Sequence, residues 1–502
     1  MTRTTVTRRW LLNGLAAGLA TPAMAREAPF LRPKPRPRFL GGAPAVAAPA
    51  VHGTPSAEEI IARAKLSGQV GFAVIDERTG AVLESAGADL ALPPASTAKT
   101  LTTAYALETL GPDFRFVTEL IATGPVENGV LQGDLVLVGS GDPALLTDDL
   151  GQMAMELRKA GVLKVAGQFR VGDGALPAIQ QIDPTQPPQV DYNPGISGLN
   201  LNFNRFYFGW KKERDGWALT LDARGARFDP PVSVEKVTVV DRSTPPYTYE
   251  QSGGLERWTV AQVDLGSHGS RWLPVRNPGA YVGDVFRALA AEQGIELPPP
   301  AVAADPPAGT VLVSHQSGDL RGILQVMLKY STNITAEIVG LTASQKRGGP
   351  VSSLAESAAR MVDWAKGRFG IAPHLIDHSG MGVANRATPM DMVRILKGAE
   401  SVDLRGILKP ILILDDHGRI ERNSGITVQG KTGTLNFVSN LVGYERTRSG
   451  RELIFAVLTG DIARNSEVPM LEREEPPGLH YWLNRSRAIQ QALMNRWNEV
   501  YG

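Results

Sequence analysis

Ser96 and Lys99 lie three residues apart in the stretch PPASTAKTLTTAYALETLG, Pro93 to Gly111. No Gly or Pro interrupts the chain from Ser96 until Gly111, and Leu101, Tyr105, Leu107 and Leu110 recur at helical spacing. On a helix, residues three apart share a face with about 5–6 Å between their Cβ atoms. That geometry suits a serine nucleophile and a lysine base, and equally a capping serine beside a solvated lysine. A serine nucleophile also needs a proton carrier for the leaving group, polar groups for the substrate backbone and donors for the oxyanion. Two later stretches offer those types. KYSTNITAE holds Ser331 and Asn333 at the mouth of a helical pattern, and TVQGKTGTLNF holds Lys431, Thr432, Gly433 and Thr434 on a strand pattern. A further S-x-x-K, Ser233 to Lys236, falls in an alternating strand pattern, where residues three apart point to opposite faces.

The elements that must position these residues can be read from periodicity and punctuation. Gly71–Ser85 (GFAVIDERTGAVLES) reads as a β-hairpin turning at Glu77–Gly80, directly before the Ser96 helix. From about 116 to 308 the texture changes to short strands and turns, with helices at Asp148–Ala160 and near Tyr281–Gly294. The stretch LPPPAVAADPPAG then marks a boundary. Beyond it come helical patterns at Leu320–Met327, Thr335–Ser344, Ser353–Arg368 and Pro389–Gly398, then strand-like TVQGKTGTL, SNLVGYERT and ELIFAVLTG. The amphipathic helix Trp482–Val500 closes the chain, with Ile489, Leu493 and Trp497 facing the protein's own core rather than a membrane surface. The expected fold is α/β (α+β): a two-layer domain with a central antiparallel sheet flanked by helices, carrying an inserted, mostly-β region. The catalytic domain would comprise 57–115 and 309–502, and the accessory insertion 116–308.

The chain has 502 residues, 52 basic and 51 acidic side chains, and no cysteine. Near-neutral charge implies no nucleic-acid partner. The absence of cysteine removes thiolate nucleophiles and thiolate metal sites. His374 and His378 are four apart in HLIDHSGMG, but that stretch reads as strand or loop and lacks a zincin glutamate. No metal or cofactor is implied. The first 25 residues carry Arg8-Arg9, an apolar run and Ala23-Met24-Ala25, an export signal cleaved near Ala25. It is of twin-arginine type, with a Sec signal bearing incidental arginines as the alternative. Residues 26–56 are a Pro/Ala-rich linker, and no transmembrane anchor is expected in the mature chain.

The ordered set S-x-x-K, S-x-N, K-T-G, each in a fitting context, is the signature of penicillin-interacting serine enzymes. With VLVGSGDPAL, GISGLNLNFN, RNPGAYVGDVFRALAAEQGI and DHSGMGVANRATPMDMVRIL, the chain resembles the D-alanyl-D-alanine carboxypeptidase/endopeptidase family, the class C low-molecular-mass penicillin-binding proteins. The resemblance implies a penicillin-binding-protein transpeptidase/β-lactamase-like fold and a periplasmic enzyme acting on peptidoglycan stem peptides, with β-lactams as inhibitors. Ser96 would be acylated by the penultimate D-alanine, with Lys99 as base when neutral, a state that Lys431 and desolvation both favour. Ser331 would relay a proton to the leaving D-alanine, and Asn333 would hold a substrate amide. Lys431, Thr432 and Thr434 would bind the terminal carboxylate, and the N–H groups of Ser96 and Thr434 would form the oxyanion hole. Asp191, with Tyr192, falls near where the family holds the free amine of the third stem-peptide residue, whereas Val383 replaces the family's arginine there. Bland readings stay open beside these: Ser331 and Asn333 as helix caps, Gly433 as a packing glycine, Ser379 as loop structure, and Glu337 packing or pairing on its own helix. A β-lactam hydrolase or esterase, and a non-catalytic wall-binding protein, are the alternative functions.

Overall fold

The computed structural model describes residues 45–46, 53–304, 307–415, 419–421 and 424–502. The expected export signal, and most of the expected linker, lie outside these. The catalytic part is built on one seven-stranded sheet. Its strands are β1 (Ala45–Val46), β2 (Gln69–Asp76), β3 (Val82–Ala86), β4 (Lys409–Ile411), β5 (Thr427–Leu435), β6 (Val438–Arg446) and β7 (Glu452–Gly460). The order across the sheet is β1-β3-β2-β7-β6-β5-β4, antiparallel throughout. The hairpin and the three C-terminal strands thus meet as expected. β1 falls inside the stretch read as linker, and its backbone pairs with Ser85 and Ala86.

Helices cover both faces of this sheet, so the domain has three layers rather than two. The cause is visible in the strands: both alternating sets are apolar. Ala73, Ile75, Ile454, Ala456 and Leu458 join one core with Leu101, Tyr105, Ile338 and Met392 of the helices. Phe72, Val74, Phe455 and Val457 join the other with Ile60, Ile489, Leu493 and Trp497. Such strands read as continuous apolar runs because neither face meets water. Each fully buried large side chain contributes roughly 1.5–3 kcal/mol relative to exposure. The C-terminal helix (Leu479–Tyr501) is also pinned electrostatically, by Arg496 Nη2 to Glu84 of β3 at 3.1 Å, with both side chains buried.

The insertion has its own core and, among the described residues, four sheets. The largest runs Pro300–Ala303, Phe169–Gly172, Leu135–Gly139, Val117–Ala122, Thr310–Gln316, and the helices Thr147–Lys159 and Pro278–Glu292 pack together beside it. Thr310–Gln316 pairs with Val117–Ala122, so this body extends past the Pro-rich stretch before the chain returns to the catalytic helices. Those helices are Leu320–Tyr330, Asn333–Gly348, Leu354–Phe369 and Pro389–Gly398.

Candidate active site

Ser96 sits on a 3-10 turn, Ala95–Ala98, and the α-helix proper begins at Lys99 and ends at Leu110. Two prolines cannot donate backbone hydrogen bonds, so the approach to this turn is held from outside. Asn440 of β6, fully buried, donates Nδ2 to the carbonyls of Pro93 (2.9 Å) and Pro94 (2.6 Å) and accepts the Thr459 N–H at 2.8 Å. Ala95 then takes φ 47°, a left-handed conformation rare for a residue with a Cβ. The result brings Lys99 Nζ to 3.0 Å from Ser96 Oγ.

Lys99 is fully buried and donates to two further acceptors, Asn333 Oδ1 at 2.9 Å and the Ser379 carbonyl at 2.8 Å. Asn333 in turn donates Nδ2 to the Tyr192 carbonyl of the insertion at 3.0 Å. Ser331 ends the helix Leu320–Tyr330 with φ 63°, its N–H closing on Met327 O at 2.7 Å. Thr332 occupies the N-cap of the next helix. Neither Ser331 nor Asn333 spends its side chain on capping. Ser331 Oγ instead accepts from Lys431 Nζ at 2.9 Å, and Lys431 also donates to the Thr432 carbonyl at 2.7 Å.

β5 carries Lys431 and Thr434 past the serine turn, and Gly433 is what lets it pass. A Cβ at 433 would stand 2.7 Å from Pro94 O, 2.9 Å from Thr97 N and 3.0 Å from Ser96 N. The packing reading of Gly433 and the catalytic one therefore coincide, since the atoms packed against are those of the nucleophile's own turn. Residues 96, 99, 331, 333, 431, 432, 433 and 434 are thus gathered into one place.

The segment between the second and third motifs closes the back of the site. Glu337 is fully buried; its two carboxylate oxygens accept the N–H groups of Ser379 (2.8 Å) and His378 (2.9 Å). Asp377, also buried, accepts the N–H groups of Gly380 and Gly382, each at 2.6 Å, and Asn385 Nδ2 at 3.0 Å. Burial, then the neighbouring Asp377 charge, pushes the Glu337 carboxyl up to about 8, and burial raises Asp377 as well. Burial pushes His378 down to about 3, so it is neutral, with Nε2 at 2.7 Å from Ser357 Oγ. Among the described residues no three metal-ligating side chains gather.

Three residues do something the motifs did not signal. Ser379 contributes its backbone carbonyl, which no side-chain pattern announces. Glu337 reaches a loop about forty residues on rather than pairing along its helix. Asn440, in a strand read only for its apolar pattern, holds the prolines. Asp191 is the converse case. Its carboxylate pairs with the buried Arg205 at 2.9 Å, and it does not line the cleft of about 500 Å³ that opens beside Thr434. That cleft is walled by Gln186 and Tyr192 of the insertion together with Val383, Arg473 and His480.

The sequence matches the D-Ala-D-Ala carboxypeptidase 3 (S13) family over residues 55–475. It is 29% identical over 434 residues to a D-alanyl-D-alanine carboxypeptidase of Actinomadura sp. strain R39, covering 77% of each chain. It is 27% identical over 417 residues to a D-alanyl-D-alanine carboxypeptidase of Haemophilus influenzae, covering 76% of this chain and 84% of that one. In fold it is similar to the crystal structure of penicillin binding protein 4 from Haemophilus influenzae, with a TM-score of 0.69 at 20% identity over 88% of this chain and 99% of that one.

Proposed function

This chain belongs to the D-Ala-D-Ala carboxypeptidase 3 (S13) family of serine peptidases, and from that premise we propose that it releases the terminal D-alanine from peptidoglycan stem peptides through an acyl-enzyme on Ser96. DD-endopeptidase action on cross-links and acylation by β-lactams follow from the same site, because all three present a carbonyl to one nucleophile. The observation that carries the reading is the 3.0 Å contact of Lys99 Nζ with Ser96 Oγ beside the 2.9 Å contact of Lys431 Nζ with Ser331 Oγ. Two serine hydroxyls thus each have their own amine.

In this reading Ser96 Oγ attacks the penultimate D-alanine carbonyl while neutral Lys99 takes its proton. The N–H groups of Ser96 and Thr434 receive the oxyanion; one such donor is worth about 10²–10³ in rate. Ser331, held by Lys431, relays to the departing D-alanine nitrogen the proton that Lys99 took from Ser96, and the C–N bond breaks, leaving Lys99 neutral again. Lys431, Thr432 and Thr434 hold the free carboxylate of the terminal D-alanine. Water then attacks the ester carbonyl, the Ser96 C–O bond breaks, and Ser96 Oγ regains its proton. Asn333 orients Lys99 and lies where a substrate amide would pass. Slow release of β-lactams is expected rather than their hydrolysis, because Glu337 is committed to two backbone N–H groups and is not placed to activate a deacylating water. Arg8-Arg9 and Ala23–Ala25 support export to the periplasm; among the described residues no helix is long and apolar enough to cross a membrane.

The test is intact-mass analysis after incubation with benzylpenicillin, with peptide mapping, beside release of D-alanine from pentapeptide muropeptides. The expected result is a lasting one-to-one adduct on the Ser96 peptide and D-alanine release that vanishes in Ser96→Ala. D-alanine release retained by Ser96→Ala would refute the reading. Rapid loss of the drug without an adduct would transfer the assignment to β-lactam hydrolysis.

A further inference from the structure

The loop 377–382 meets Lys99 with the Ser379 carbonyl oxygen, 2.8 Å from Nζ. Two buried carboxylates hold the loop that carries that oxygen. Glu337 grips the N–H groups of His378 and Ser379, one per oxygen, and Asp377 grips Gly380, Gly382 and Asn385. Five donors thus converge on two fully buried acids directly behind the base. Thr102, on the nucleophile's own helix, adds one more tether by donating Oγ1 to the His378 carbonyl at 2.7 Å. Gly380 makes the approach possible: at φ 76° it packs so tightly on the Ala95 carbonyl that no side chain fits.

Two carboxylates in a dry site resist ionising together, so a pair of this kind shares one proton near neutrality and gains its second charge only at higher pH. The charged and titratable groups around Lys99 are few. Its own turn offers Ser96, the helix Asn333–Gly348 offers Asn333 and Glu337, and the loop offers Asp377 and neutral His378. The KTG strand brings the opposing cation, Lys431, bonded to Ser331. Lys99 in turn lowers Asp377 through its charge.

We propose that Glu337 and Asp377 are positioning residues for acylation: they hold the Ser379 carbonyl on Lys99 Nζ, and the charge they gain as pH rises opposes loss of the Lys99 proton. The inference rests on Ser96 and Lys99 acting as proposed above. It adds a control on when Lys99 becomes a base. Neutral Lys99 is the active form, and each negative charge behind it favours the ammonium. Charge built up on the pair therefore spreads the gain of activity over a wider pH range.

The experiment is the second-order rate of acylation by benzylpenicillin between pH 5 and pH 10 in wild type, Glu337→Gln and Asp377→Asn, with thermal denaturation of each. In wild type the rising limb should be shallower than a single-proton curve, because the pair ionises over the same range. In each variant only one acid remains, so the second charge behind Lys99 never forms. The limb should then steepen and its midpoint move down by about one pH unit, the scale of one nearby charge. Plateau rates should fall about tenfold as the loop loosens, a loss in the range that misplacing a reacting group by under 1 Å produces. A wild-type limb of single-proton steepness overturns the inference without any variant. So do variants that lose stability or plateau rate while the midpoint stays in place. If Glu337→Gln does not fold, Asp377→Asn carries the same prediction. A wild-type protein that takes up no penicillin overturns the assigned function itself, which the variants' midpoints cannot do.

Discussion

Replacing Gly433 by alanine isolates the distance between the KTG strand and the serine turn. The backbone at 433 is ordinary extended strand, opposite Asn440, so an L-residue is conformationally allowed and the effect is purely steric. The new methyl would lie 2.7–3.0 Å from three backbone atoms of residues 94, 96 and 97, where relaxed contact begins at 3.4 Å. No side-chain rotation relieves a clash with backbone, so strand and turn must part by about 0.4–0.7 Å. Overpacking of this kind costs about 1–3 kcal/mol, which a sheet buried on both faces tolerates. The chemistry is less forgiving. Lys431 and Thr434 move with the strand while Ser96 moves with the turn, and a misplacement of about 1 Å costs about 10²-fold in rate. Gly433→Ala should therefore fold, melt a few degrees lower, and be acylated by benzylpenicillin about 10- to 100-fold more slowly, followed by intact mass against time. Acylation within about threefold of wild type would refute the reasoning, because the pocket would then not depend on that close approach.

Asn440→Ala should lower the melting temperature and slow acylation together. It strips a partner from the Pro93 carbonyl and from the Thr459 N–H, while the Pro94 carbonyl keeps Thr97, and each buried group left unpaired costs about 1–3 kcal/mol. An effect on stability alone would show that the serine turn holds itself. Asp76, at the end of β2 beside the hairpin turn, is held down to about 2, mainly by the Thr79 backbone N–H and also by Arg451. Its folded value lies below its unfolded one, so its contribution is present above about pH 4 and is lost as pH falls toward 2. Acid unfolding of Asp76→Asn should lack that part of the slope. Glu445 of β6 is the opposite case: burial raises it well above 4.5, and neither oxygen has a hydrogen-bond partner. The stability it contributes is present below pH 4.5 and is lost as pH rises through its folded value. Glu445→Gln should therefore gain on wild type in calorimetry at pH 8 relative to pH 5; an equal difference at both pH values would contradict this.

The sequence disclosed the parts of the site that lie on one element at fixed spacing. Ser96 and Lys99 are neighbours because a helical turn makes them so, and the KTG residues follow one strand. Which strand lies beside that turn is a matter of sheet order, and sheet order leaves no local pattern. Hence Asn440, a strand residue among apolar ones, was not legible as the clamp on Pro93 and Pro94. Glu337 showed the same limit: its position on the helix was plain, but the loop it holds arrives from elsewhere in the fold. Asp191 was placed near a substrate amine because nothing nearby in sequence revealed that Arg205 would be buried and need an anion. The end of the insertion was missed for a similar reason. Prolines announce a break, but they do not say that the next strand, Thr310–Gln316, returns to the sheet just left. The second S-x-x-K has its serine just before the strand Glu235–Val240, and its hydroxyl is bound to Asp284.

The register of the main sheet sets a schedule for the enzyme's own birth. Gln69 stands opposite Gly460, so β2, the first strand of the hairpin that leads into the serine turn, is joined on that side only by β7, the last strand of this sheet in chain order. At about 5–20 residues per second, roughly 20–80 s separate the emergence of the two. During that wait the insertion can assemble on its own core, while the Ser96 turn has neither Asn440 nor the KTG strand beside it. Reactivity then arrives in a single late event rather than by degrees. A ribosome-stalled chain ending before Glu452 should take up no fluorescent penicillin, whereas the completed, released chain should label at once.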